Sequence, residues 1–511
     1  MARRERSIVE YFAEHERYRC GYCGSPDTNY SHGMWAHVMT VQDYQDLIDR
    51  GWRRSGKYSY KPTMKVTCCP QYAIRCDAVN FQLSKSQKKV IKRVNRFLIT
   101  GQRPGESTGQ GEDSQNVVAE GPSGDNFIEP KKPVDLSLTT NDVKSERTAP
   151  AKNSLLSTSS SLRMTSQPES TGSSSENFIL TQTSGQRKGK TLKSSPKPGC
   201  GADKSKPPCR KAKLIRLEHK EHKTGKAPVS IISSKNKTKP PKALEDFLNE
   251  PQRAENPAHQ LEVKLVRSNP KSQDFVASNF AAHRVYHKYQ TVVHKDPPEK
   301  PNLKQYTRFL VESPLQALMP APGEHGLTHG YGSFHQQYIL DGKIIAVGVV
   351  DILPFCLSSV YLYYDPDYAF LSLGTYSALR EIAFVREMQK VAPQLRFYYM
   401  GFYIHSCPKM RYKGQFVPSQ LLCPETYTWI PIEKCVPKLD ISRYARLEDT
   451  GKEDSEGDID LDRVLVLYEG EIMPYEVYCS INPGTNDADS VREYATFVGR
   501  TCSQRMLLFR K

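Results

Sequence analysis

The strongest local signal in the chain is a pair of apolar runs, Phe334–Leu340 and Lys343–Leu353, separated by Asp341-Gly342. Asp-Gly accepts the left-handed backbone that a two-residue hairpin turn demands, so the runs predict two antiparallel strands. Ser359–Tyr364 (SVYLYY) reads as another buried strand, stopped by Pro366. Ser372–Lys390 reads as an amphipathic helix with Ala378, Leu379, Ile382, Ala383 and Val385 on its apolar side, and Pro393 follows its end. Arg396–Ile404 (RFYYMGFYI) is a further strand. Hairpin, strand, helix, strand make an α/β (α+β) layer, a mixed sheet with packed helices. Upstream, Leu261–Val266 alternates as a strand should, and Asn279–His294 suits a helix running into Pro297-Pro298.

Composition divides the rest. Residues 1–100 read as a small Cys-rich domain: Thr40 caps a helix that ends at Gly51, Tyr58–Pro62 suits a strand, and Ser84–Thr100 is a basic amphipathic helix. Residues 101–261 are dominated by Ser, Thr, Gly, Pro, Lys and Glu, and such a stretch buries too little apolar surface to offset chain entropy. It reads as a disordered basic insert, with Ala243–Leu248 as one short helix. Residues 262–440 form the aromatic-rich folded segment. Residues 441–511 are an acidic loop and C-terminal tail, with a stretch from Arg463 to Leu508 that packs back. The net charge of +16 is concentrated: residues 187–242 hold 18 Lys and Arg against 3 Asp and Glu. A run of that kind favours polyanions through counterion release, and equally suits a nuclear-localisation tract. No apolar run approaches the roughly 20 residues of a membrane span. No apolar segment of the secretory type follows Met1-Ala2-Arg3-Arg4. The expectation is a cytoplasmic and nuclear protein without membrane partners, its 13 cysteines reduced.

Cys20-Gly-Tyr-Cys23 and the vicinal pair Cys68-Cys69 bring four thiols to one small region. Such a set suits a soft tetrahedral site, and zinc and an iron–sulfur cluster both accept it. The adjacent pair departs from the two spaced pairs of a zinc knuckle and tilts the reading toward a cluster. Cys76 is a spare thiol, and His32 or His37 is an alternative ligand.

On the first strand of the hairpin, period-two alternation sends Phe334, Gln336 and Tyr338 one way and Ser333, His335 and Gln337 the other. His335 and Gln337 thus make a polar patch. Asp351 closes an apolar strand, a position that often faces a cleft at a sheet's edge. Glu381 interrupts an apolar helix face. His405, Lys409, Arg411 and Lys413 follow the last strand as candidate anion ligands, with Tyr412 among them. No Gly-x-x-x-x-Gly-Lys-Ser/Thr phosphate loop and no His-Glu-x-x-His occurs, and no Gly-x-Ser-x-Gly elbow lies in the aromatic-rich segment 262–440. The turn Asp365-Pro-Asp367 carries two carboxylates where a coenzyme A pyrophosphate would need a Gly-rich basic turn. The expectation is an acyl donor other than coenzyme A.

These strings bear a resemblance. Cys20–Cys23, Gly33-Met-Trp35-Ala-His37 and Cys68-Cys69-Pro70-Gln-Tyr72 resemble the N-terminal domain of eukaryotic, vertebrate-type arginyl-tRNA–protein transferases. Gly332–Tyr338, Tyr363–Asp367, Leu373-Gly374 and Cys407–Lys413 resemble their C-terminal domain. The resemblance implies an acetyltransferase-like (GNAT-type) catalytic domain over 262–440. It implies transfer of arginine from arginyl-tRNA to proteins with N-terminal Asp, Glu or oxidised Cys, which marks them for ubiquitin-dependent degradation. It implies Cys20, Cys23, Cys68 and Cys69 as ligands of an iron–sulfur cluster, with zinc the alternative and Cys76 outside the pattern. The donor is then an activated ester and the nucleophile an α-amine of pKa about 7.7–8.0, which needs modest base assistance. Asp351 or Glu381 is the expected partner of the donor's guanidinium. Arg308, Lys409 and Arg411 are expected on the acceptor's acidic side chain. His335 and Gln337 are expected to orient the amine. Lys206, Arg210, Lys211, Lys213 and Lys413 are expected on tRNA phosphates.

Overall fold

A computed structural model of the protein describes residues 6–13, 17–103, 138–147, 242–321 and 326–511. In chain order the strands are β1 (Ile8–Phe12), β2 (Arg17–Tyr18), β3 (Asn29–Val38), β4 (Arg53–Ser55), β5 (Tyr58–Pro62), β6 (Tyr72–Asp77), β7 (Ser145–Glu146), β8 (Leu261–Asn269), β9 (Gly332–Leu340), β10 (Lys343–Ile352), β11 (Cys356–Tyr364), β12 (Phe397–Tyr403), β13 (Ser419–Leu422), β14 (Trp429–Pro431), β15 (Leu465–Tyr468), β16 (Glu471–Pro474) and β17 (Leu507–Phe509). They form two mixed sheets. One runs β4-β5-β3-β1-β17-β15-β16-β7, with β2 against β3; the other runs β14-β13-β6-β12-β11-β10-β9-β8.

The hairpin forms as its sequence predicts: β9 and β10 pair antiparallel, and Asp341 and Gly342 both take positive φ, 48° and 80°. Helices follow their caps. Thr40 accepts from the Asp43 amide at the head of Val41–Ile48, and Ser84 and Gln87 form a reciprocal capping box on Lys85–Thr100. The helix expected from Asn279 starts earlier, at Gln273, because Ser272 caps it; its α part ends at Tyr289 and a π turn, Gln290–His294, carries it to the expected end.

The segment boundaries at 100, 262 and 440 are not sheet boundaries. β6, from the Cys-rich segment, lies between β12 and β13 in the large sheet. The C-terminal β17 pairs parallel with β1. One apolar core joins Met34, Leu47 and Trp52 to Tyr399, Val466, Tyr494 and Leu508. Parallel pairing of chain ends leaves no local sequence trace, since its partners are nearly 500 residues apart.

Most of the expected insert lies outside the described residues, with Lys206, Arg210, Lys211 and Lys213. The expectation of disorder is corrected only at the insert's described stretches 138–147 and 242–261. Ser145–Glu146 pairs with β16, and Leu244–Leu248 forms the short helix, burying Leu244 and Leu248 in the main core. Among the described residues no helix is long and apolar enough to cross a membrane.

Candidate active site

The catalytic candidates separate into three places. At the end of β10, Asp351 is fully buried and holds Arg54 of β4 in a bidentate ion pair, 2.8 Å from Nε and 2.7 Å from Nη2. Ser333 donates to the same carboxylate at 2.6 Å and is itself linked to Ser313. The expectation that Asp351 receives a donor guanidinium is corrected: the chain's own Arg54 already fills that geometry. His335 and Gln337 do face the same way, as alternation predicts, but the face is covered. His335 bonds the Leu310 carbonyl at 2.9 Å and packs edge-on against Phe275. Burial pushes its imidazole down from 6.5 to about 4. Gln337 donates to Ser278 at 2.7 Å. The Gln273–Tyr289 helix, whose position the strand pattern alone does not reveal, closes over both, so the expectation that they meet the amine is not met by this geometry.

The second place is a crevice in the large sheet. β11 and β12 are parallel neighbours over only three pairs, Cys356↔Phe397 to Ser358↔Tyr399. Beyond these the strands part. On its other edge β12 carries a register shift against β6 between Tyr399 and Phe402, with Gly401 at φ +66°. The gap is a crevice of about 70 Å³ lined by Ser359, Tyr361, Gly374, Ser377, Tyr398 and Lys413, among others. Lys413 donates to the Phe402 carbonyl at 3.0 Å, which fixes its ammonium at this edge. Glu381, on the Leu373–Gln389 helix, lies behind the lining and hydrogen-bonds Tyr398 and Ser359. Its Oε2 has no hydrogen-bond partner, and burial raises the carboxyl from 4.5 to about 7. Gly348 of β10 makes the space: a Cβ there would sit 2.8 Å from Glu381 Oε1.

Next to this edge is the cysteine centre. The sulfurs of Cys20, Cys23, Cys68 and Cys69 all lie within 4.8 Å of one another. A tetrahedral ion with Zn–S near 2.3 Å needs sulfurs about 3.8 Å apart, so the four donors fit a single soft ion. Hydrogen bonding with Ser25 lowers the Cys23 thiol to about 6, which favours the ligating thiolate. The alternative ligands are excluded by placement. His32 lies against Tyr11 and Glu493, His37 against Glu10, and Cys76 in β6 opposite Tyr398 and Ser419. Cys20 and Cys69 share an apolar cluster with Phe402, Ile404 and Met410, so the centre buttresses the end of β12 and the Pro408–Arg411 turn.

That turn exposes Lys409 and Arg411, with Tyr412 and Lys413 half-buried behind them. His405 is not free for anions, because it bridges Tyr403 and Asp440, each at 2.8 Å. Arg308 stands half-buried on a separate helical turn, its carbonyl against Gly56.

Two family models match the chain: "Arginine-tRNA-protein transferase, N terminus" over residues 18–89 and "Arginine-tRNA-protein transferase, C terminus" over 281–423. An arginyl-tRNA–protein transferase of Drosophila melanogaster is 41% identical, covering 98% of this chain and 99% of the fly protein. The chain belongs to the arginyl-tRNA–protein transferase family. An Arabidopsis thaliana member is 37% identical over 84% of this chain and 74% of its own length. An aspartate/glutamate leucyltransferase of Campylobacter jejuni is 33% identical over 89 residues, 17% of this chain and 35% of its own.

In this transferase several site residues had no sequence signal of their own. Arg54 and Ser359 look like ordinary strand residues, and only tertiary pairing brings them to Asp351 and Glu381. Tyr398 was visible as one aromatic of a dense string. The Asp365-Pro-Asp367 turn is also less hostile to phosphate than its composition implies: Lys288 bonds both carboxylates at 2.6 and 2.7 Å, and Lys343 bonds Asp365 at 2.9 Å.

Proposed function

We propose that this enzyme transfers arginine from arginyl-tRNA to the N-terminal α-amine of proteins beginning with Asp, Glu or oxidised Cys, creating a degradation signal for the ubiquitin pathway. The observation that carries the reading is the crevice between the parted strands β11 and β12, backed by Glu381 and edged by Lys413, in a member of this family. Where the pair opens, side chains of both strands and of the covering helix face one space, and at about 70 Å³ that space suits the reacting ester group of the donor rather than the whole arginyl nucleotide. The basic turn at Lys409 and Arg411 faces solvent, where an acceptor's acidic side chain or a tRNA phosphate gains charge-assisted bonds. Coenzyme A has no place in this scheme, although family membership rather than the ion-paired acidic turn now argues for that. In the reaction, the α-amine attacks the ester carbonyl while the crevice holds the two in line, and much of the rate comes from this positioning.

Cys20, Cys23, Cys68 and Cys69 hold an iron–sulfur cluster or a zinc ion, and in either form the centre supplies a rigid staple beneath the end of β12. Metal and acid-labile sulfide analysis of the purified protein distinguishes the two. The enzyme is active in the cytoplasm and nucleus, a reading supported by its basic tract. The test is direct: incubate the protein with radiolabelled arginyl-tRNA and peptides starting with Asp, Glu, oxidised Cys or Ala. Label is expected on the first three; equal label on the Ala peptide, or none on any, refutes the reading.

A further inference from the structure

Glu381 does not touch the crevice surface, yet two residues that line the crevice, Tyr398 and Ser359, hydrogen-bond it. Its residue exposure is 1%. Burying a carboxyl is costly unless every oxygen is satisfied, and Oε2 is not. Three further features hold the group in this place. Gly348 leaves a niche for Oε1 that any side chain would fill. Ser377, one turn earlier on the same helix, reaches the same crevice. Tyr338 of β9, which donates to Gln336, lies within electrostatic reach of the carboxyl and of Arg380 and Tyr376 on the helix. The charged and titratable groups around Glu381 are therefore Tyr398, Tyr338, Tyr376 and Arg380. Arg380 is drawn off toward the Tyr376 hydroxyl and the Leu248 carbonyl, at 3.0 and 3.1 Å. A structural carboxylate would be expected to take the nearby guanidinium, as Asp351 takes Arg54. This one takes a phenol and a serine instead.

We infer that Glu381 is the proton acceptor of the transfer reaction, acting through the Tyr398 hydroxyl. The inference rests on the arginyl-ester reading of the crevice. The attacking nitrogen bonds to the ester carbonyl carbon and gives up one proton to the Tyr398 oxygen. The Tyr398 proton passes to the Glu381 carboxylate. The bond from the carbonyl carbon to the ribose oxygen then breaks. That oxygen takes a proton back along the same path, which restores Tyr398 and the Glu381 carboxylate and releases the tRNA. The new amide and the free ribose hydroxyl balance the amine and the ester, with no other reactant. Burial brings the Glu381 carboxyl to about 7, close to the pKa of an N-terminal amine, which is the match a shared proton requires. Glu381 is thus a positioning residue and proton store, and Tyr398 is the group that meets the substrate.

The experiment uses the full chain with its metal, saturated with arginyl-tRNA, in single-turnover transfer to an Asp-initiated peptide between pH 5.5 and 8.5. Wild type is expected to show a rate that rises through an inflection near pH 7. In E381Q and in Y398F the rate is expected to fall by about 100-fold and the inflection to move from near pH 7 to that of the peptide's own α-amine, about 7.7–8.0. Affinity for arginyl-tRNA and KM for the peptide are expected to stay within about twofold. Thermal melts verify that the variants fold, and Y398F, which keeps the ring, carries the test if E381Q does not. Retention of the inflection near pH 7 in either folded variant overturns the inference. So does an E381Q enzyme that keeps its rate but accepts lysyl-tRNA, because Glu381 would then hold the donor guanidinium. Absence of transfer by wild type itself would instead count against the proposed function.

Discussion

Asp351, on the large sheet, and Glu381, on the Leu373–Gln389 helix packed against it, are both buried carboxylates, and from the sequence they are equivalent candidates for the same role. Their surroundings separate them. Asp351 is saturated: Arg54 on both oxygens and Ser333 beside it. Glu381 has neutral partners, one unsatisfied oxygen, and a raised pKa. Saturation marks a joint between the Cys-rich segment and the large sheet. Incompleteness, next to a crevice, marks chemistry. The contrast shows that burial of a charge is uninformative until its partners are counted.

The largest effect should come from breaking the saturated pair. Asp351→Asn leaves Arg54 buried without its counter-ion, and such a loss typically costs about 3–5 kcal/mol. Denaturant unfolding of D351N should show that loss, and the double variant R54M/D351L should recover most of it, because two apolar residues leave no buried charge. If D351N were as stable as wild type, Asp351 would not be the joint described here.

A second prediction sets Glu381 against His335, two buried groups displaced in opposite directions. His335 has its folded pKa depressed from 6.5 to about 4, so the unfolded chain binds more protons between those values. Its contribution is complete above pH 6.5 and is lost as pH falls toward 4. Glu381 has its folded pKa raised from 4.5 to about 7, so the native state binds more protons there. Its contribution is complete below pH 4.5 and is lost as pH rises toward 7. Each amounts to about 3 kcal/mol across its window, and the two largely cancel. Stability measured from pH 4 to 7.5 should therefore steepen upward with pH in E381Q and downward in H335Q. Parallel curves for the two variants would remove the contrast between these environments.

How much of this was legible beforehand depended on range. The hairpin, the capped helices, the strand rich in aromatics and the four-thiol set were readable because each is written in neighbouring residues. The side-chain direction of His335 and Gln337 was also readable, from alternation alone. What covers them was not, because the covering helix approaches from about 60 residues away. The same applies to Arg54: its partner Asp351 lies 297 positions along the chain. The crevice itself arises where β12 leaves β11 at a bulge, and a lone glycine in a strand, Gly401, was its only local trace.

Gly348→Ala probes the niche without removing any polar group. The new methyl would meet Glu381 Oε1, and overpacking of this kind costs about 1–3 kcal/mol. Displacement of the carboxyl should also weaken its bond to Tyr398, so transfer should slow more than stability falls. A slower but equally pH-dependent enzyme would indicate that the niche is packing alone.

The smallest effect belongs to the exposed turn. Lys409→Ala and Arg411→Ala remove charges that solvent screens, and an exposed pair is worth about 0.2–1 kcal/mol. Because 1.4 kcal/mol is tenfold, the double variant should raise KM for an Asp-initiated peptide by several-fold while leaving the melting temperature unchanged. The effect should shrink as salt rises from 50 to 300 mM, since the interaction acts through solvent. An increase in Kd for arginyl-tRNA, with KM for the peptide unchanged, would assign the turn to the tRNA backbone instead. The crevice edge would be left to Lys413, whose ammonium is already tied to the Phe402 carbonyl and so belongs with the buried half of the comparison.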